Sequence, residues 1–169
     1  MEFKTMSTQE LKALWPEQSD EPFPANRSSG SPLNSFYPID DYIVLLDEEN
    51  IVGGIGFGKK DGFTIRGGAF ISPKYRKQNL YNSISAEADK LPTPFIAGFS
   101  SSIVSNKEWI ESNKNRGWDI SPTDKELGEY ADNPTVKAFK DYYDDHPKGA
   151  KWAVKGLPLS KMWWKVMLR

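Results

Sequence analysis

Ala69-Phe70-Ile71-Ser72-Pro73-Lys74-Tyr75-Arg76-Lys77-Gln78-Asn79-Leu80-Tyr81 is the stretch that decides the fold. An apolar run with strand character ends at Ser72-Pro73, and a basic loop follows. Apolar residues then recur at Leu80, Ile84, Ala88 and Leu91, the spacing of a helix face. The first backbone N–H groups of a helix lack intrahelical partners and sit at the positive end of its dipole. A strand that opens through a basic turn into a helix is therefore an anion cradle. Arg76 and Lys77 add charge at the same end. The pattern suits the pyrophosphate of a nucleotide-type cofactor.

Upstream, residues 42–46, 51–57 and 63–71 read as three strands. Polar turns at 47–50 and 58–62 join them, which predicts an antiparallel meander. Gly53, Gly54 and Gly56 lie inside a strand pattern with no helix after them, so they are not a dinucleotide loop. They mark a bulge or a close backbone approach, as do Gly67 and Gly68. Residues 7–15 predict a first helix, capped by Ser7 or Thr8, with Leu11, Leu14 and Trp15 on one face and Pro16 at its end. Residues 17–38, rich in Pro, Ser, Asn and Gly, read as an irregular connection, either a loop or a substrate-side lid.

Downstream, Pro92 and Pro94 end the second helix. A fourth strand follows at 95–99, and then a helix capped by Ser105 or Asn106 that stops at Arg116-Gly117. Residues 118–120 are extended, and the acidic stretch 122–149 has helical potential over 134–143. Residues 151–154 and 162–168 read as the last strands. The strand–helix–strand step in the middle requires a parallel pair, so the expected sheet is mixed. The class is α/β (α+β), with a mostly antiparallel central sheet of six to seven strands flanked by helices. The whole chain, 1–169, reads as one domain with an insertion near 122–149.

The 169 residues carry 22 basic and 23 acidic side chains, so no broad nucleic-acid-binding face is expected. Cysteine is absent and His146 is the one histidine, which excludes disulfides, thiol nucleophiles and multi-histidine metal sites. No apolar run is long enough to span a bilayer and the N-terminus lacks a signal-peptide core, so a cytoplasmic protein without membrane contact is expected.

Ile71, Pro73, Tyr75 and Arg76, followed by Asn79 and Tyr81, resemble the acyl-CoA-binding motif of the GNAT N-acetyltransferase superfamily. The family prefers small residues at the last two positions. A second landmark comes later in register. Asn106, Trp109, Asn113, Gly117 and Trp118 stand where the family's helix reads Asn-x-x-Ala-x-x-x-Tyr-x-x-x-Gly-Phe. The order of elements is also that of the family. The resemblance implies an acetyltransferase that uses acetyl-CoA as cosubstrate and acts on an amine of a small molecule or protein, as a monomer or homodimer. It assigns cofactor binding to Phe70, Ile71, Arg76, Lys77, Gln78, Asn79, Leu80, Tyr81 and Asn106. The catalytic positions are Ile71, whose backbone N–H would polarise the thioester carbonyl, and Asn113, which stands where many members have a proton-donating tyrosine. Asparagine can donate a hydrogen bond but has no proton to give.

Candidates for the amine's base are Glu48, Glu49, Asp40 and Asp41, for which solvated charge is the simpler reading, and His146 in a loop. Tyr37 or Tyr42 could supply the acid, with packing as the alternative. Trp163-Trp164 reads first as core, and the acidic stretch 124–145 as solvated helix and loop rather than a selector of cationic amines. Three readings stay open: an acetyltransferase acting by direct attack of the amine, a catalytically inactive GNAT-like module that binds CoA or a partner, and an interaction protein that keeps the fold without any cofactor.

Overall fold

The computed structural model describes residues 1–24, 38–99, 105–145 and 149–158. These form two compact units. The first is built from residues up to Lys59 together with Thr64–Pro92, and the second from Lys60–Phe63 together with Thr93 onward. The class is the α+β one expected, with seven strands and flanking helices.

In the first unit the strand order is β1 (Glu2–Ser7), β2 (Asp41–Asp47), β3 (Asn50–Lys60) and β4 (Phe63–Ile71). The predicted meander is β2-β3-β4. β2 is apolar from Tyr42 to Leu46, and both of its faces are covered there. Tyr42, Val44 and Leu46 pack on one face with Leu11 and Trp15 of helix α1 (Thr8–Gln18). Ile43 and Leu45 pack on the other with Ile84 and Ala88 of helix α2 (Leu80–Ala88). The glycines of β3 serve close approach: a Cβ on Gly53 would come 2.5 Å from the Phe70 carbonyl oxygen. A bulge is present too, with the register shifting between Leu45 and Leu46 so that they face Gly53 and Ile51.

Three expectations for this unit need correction. The chain opens on a strand: β1 pairs antiparallel with β2, Phe3 against Leu45 and Met6 against Tyr42. It offers one apolar residue to each face, too little alternation to announce itself, and forms because β2 presents a free edge. Pro16 does not end α1, which continues to Gln18. A proline in the last turn forfeits a single bond, and the Ser19 N–H closes the end on the Trp15 carbonyl at 3.1 Å. β3 runs to Lys60 instead of stopping at Phe57, since the turn needs only Asp61 and Gly62, at φ 50° and 84°.

In the second unit β7 (Lys151–Lys155) pairs antiparallel with β5 (Phe95–Phe99) on one side and β6 (Trp118–Ile120) on the other. Helix α3 (Lys107–Asn115) precedes β6 and lays Trp109 against Phe99, with ring centroids 4.7 Å apart. Between β6 and β7 lie the short helix α4 (Asp124–Leu127), a 3-10 turn at Gly128–Asp132 and helix α5 (Pro134–Asp144). α5 starts and ends within a residue of its prediction. Val136, Phe139 and Tyr143 are its buried stripe. The predicted last strand at 162–168, Trp163-Trp164 and most of the 17–38 connection lie outside the described residues.

Candidate functional site

The end of β4 is tied firmly to β3. The Ser72 N–H donates to the Val52 carbonyl at 2.8 Å, and its buried hydroxyl donates to the Ile51 carbonyl at 2.7 Å. Pro73–Tyr75 form a single 3-10 turn. Tyr75 packs against the α2-side core and donates its hydroxyl to Asp47 Oδ2 at 3.3 Å. Burial first, then the neighbouring Asp47 and Glu48 carboxylates, raise this phenol above its ordinary value. It therefore stays a hydrogen-bond donor at neutral pH.

The loop then takes a backbone shape that L-residues rarely hold. Lys77 has φ 67° and Asn79 φ 59°, both left-handed, without a glycine at either place. Asn79 is the residue before α2 and its side chain makes no capping bond to the helix. Instead its Oδ1 accepts from Asn82 Nδ2 at 3.4 Å. The first N–H groups of α2 are thus left without a side-chain cap, beside Arg76 and Lys77. Leu80 faces the core, while Tyr81, large where a small residue was anticipated, is 48% exposed. Its ring is not buried under the loop.

Phe70, Ile71, Arg76, Lys77, Gln78, Asn79, Leu80 and Tyr81 are therefore gathered at one β4–α2 junction. Phe70 is buried between Trp15 and Tyr42, at centroid distances of 5.2 and 6.2 Å, so its role is to anchor the strand end. Arg76 is already engaged: its Nε donates to the Ile71 carbonyl at 3.0 Å, and its Nη2 reaches both Glu21 oxygens at 2.9 and 3.1 Å. Sequence reasoning missed Glu21. It sits in an aperiodic stretch 55 positions away, and no local pattern marks such a pair.

Asn106 and Asn113 belong to α3 in the second unit. Asn106 caps the helix, its side chain accepting from the Trp109 N–H at 3.1 Å. Asn113 is buried at 8% exposure, and its Nδ2 donates to the Trp109 carbonyl at 2.9 Å. Among the suggested acid–base residues, Glu48 and Glu49 are exposed in the β2–β3 turn, and Tyr42 is a buried member of the aromatic cluster. Asp40 contributes backbone bonds to Thr8 and Phe57. Tyr37 and His146 lie outside the described residues. No group of three or more His, Cys, Asp or Glu able to hold a metal exists among the described residues. No described helix is long and apolar enough to cross a membrane.

No protein-family model and no curated protein matches the sequence. Solved structures do match by shape. An N-acetylglutamate synthase from Neisseria gonorrhoeae, solved with coenzyme A and N-acetyl-glutamate, aligns over 94% of this chain at a TM-score of 0.50 and 12% identity. The alignment spans only 36% of the synthase. A Bacteroides thetaiotaomicron protein, described as an acetyltransferase of the GNAT family, aligns over 99% of this chain and 93% of its own, at a TM-score of 0.48 and 12% identity.

Proposed function

We propose, from the GNAT fold that this chain has, that it binds acetyl-CoA at the β4–α2 junction and transfers the acetyl group to an amine by direct attack. The observation that carries this reading is the left-handed backbone at Lys77 and Asn79. The loop holds that shape without glycine, ahead of a helix start that no side chain caps. Strained backbone of this kind persists where the surrounding structure enforces it, which is characteristic of ligand sites. Lys77 and the helix N-terminus would take the pyrophosphate, with Arg76 beside them.

In the proposed reaction the amine nitrogen forms a bond to the thioester carbonyl carbon, the carbon–sulfur bond breaks, and coenzyme A leaves as thiolate. The proton lost by the amine ends on the thiol. The Ile71 N–H would polarise the carbonyl. Holding the two substrates together supplies much of the acceleration. Asn113 has no dissociable proton and its amide serves its own helix, so no proton transfer is assigned to it. That same fact favours a second reading, a coenzyme A-binding module without turnover.

Calorimetric titration with acetyl-CoA and with coenzyme A tests the site. Micromolar binding is expected, and Arg76→Ala with Lys77→Ala should weaken it at least tenfold while far-UV circular dichroism stays unchanged. Unaltered affinity in the double variant removes this pyrophosphate site. Thiol release in the presence of amines then separates the enzyme from the inactive module.

A further inference from the structure

We infer that Glu21 sets the affinity of the cradle. It holds Arg76 Nη2 and competes for that donor with an arriving pyrophosphate. This inference rests on reading the β4–α2 junction as a coenzyme A site.

Both Glu21 oxygens lie within 3.1 Å of Arg76 Nη2. The two side chains are 32% and 47% exposed, so an anion approaching from solvent can reach the pair. Glu21 is placed there by the core. Its backbone N–H donates to Ser19 Oγ at 3.1 Å, and its carbonyl accepts from Trp15 Nε1 at 2.8 Å. Two residues on, buried Phe23 packs edge-on against Trp15 at 5.8 Å. These contacts fix the carboxylate over a loop distant in sequence.

Carboxylate and phosphate oxygens compete for the same guanidinium donors. A half-exposed pair of this kind shifts a competing equilibrium by about fivefold. Once Arg76 turns to the ligand, Glu21 is left beside a polyanion, and like-charge repulsion adds to the cost. Glu21 is therefore a positioning residue whose charge opposes the ligand.

The test is calorimetric titration of coenzyme A into the full chain and its Glu21→Gln, Arg76→Ala and doubly substituted variants. Glu21→Gln should bind about fivefold tighter than the parent, with the gain abolished when Arg76 is alanine. Equal or weaker binding by Glu21→Gln overturns the inference while the parent's own binding keeps the cradle. Absence of binding in all four proteins overturns the cradle, and the role of Glu21 with it.

Discussion

Lys77 shows what one backbone angle contributes to stability. Its left-handed backbone (φ 67°) costs an L-residue about 1–2 kcal/mol, and asparagine at 79 tolerates the same region better. Lys77→Gly should therefore raise the unfolding free energy by up to about 1 kcal/mol, seen as a higher denaturant midpoint at constant slope. A lower midpoint would mean that the lysine side chain contributes more than its backbone costs. Glycines are equally specific. A Cβ on Gly98 would collide with the Tyr143 hydroxyl, which is buried with its ring, whereas a Cβ on Gly68 meets nothing within 4 Å. Gly98→Ala should cost about 1–3 kcal/mol, and Gly68→Ala should stay within about 0.5 kcal/mol. Equal effects in urea unfolding would contradict this account.

Caps decide the elements of the second unit. Asn133 Oδ1 accepts from the Thr135 and Val136 N–H groups at 3.0 and 3.3 Å, opening α5. Its Nδ2 donates to the Asp61 carbonyl at 2.9 Å, and Thr135 Oγ1 donates to Asp61 Oδ2 at 2.7 Å. One cap thus starts a helix and grips a turn 72 positions away. Asn133→Ala should cost about 1–2 kcal/mol, a fall in melting temperature of about 2–8 °C for a chain of this size. A melt indistinguishable from the parent would show that neither the cap nor the Asp61 contact contributes to stability. α5 itself was legible as helical potential over 134–143, whereas its buried stripe came from the structure. The grip on Asp61 was not legible, because it joins distant segments.

For the molecule as a whole, binding to the folded state must appear as stability. Coenzyme A at about 100 times its dissociation constant should add about 2.7 kcal/mol, an upward shift of about 5–10 °C in scanning calorimetry. The shift should shrink when Arg76 and Lys77 are both alanine. No shift in the parent protein at millimolar coenzyme A removes the proposed site. The net charge of −1 makes this a test of local field, since no general attraction for polyanions favours the ligand.

What the sequence determined by itself was the order and type of most elements. Hydrophobic period, prolines and caps are local signals, so β4, β5, β6 and the α5 span could be read without coordinates, and each cap could be narrowed to two neighbours, of which the structure uses Ser7 and Asn106. The basic β4–α2 loop was equally visible. Tertiary structure decided the rest. It drew in β1 as a strand because β2 offered an edge, carried α1 through Pro16, and set Glu21 against Arg76. These outcomes depend on which distant groups pack together, a free energy shared across the fold and recorded at no single stretch of the chain.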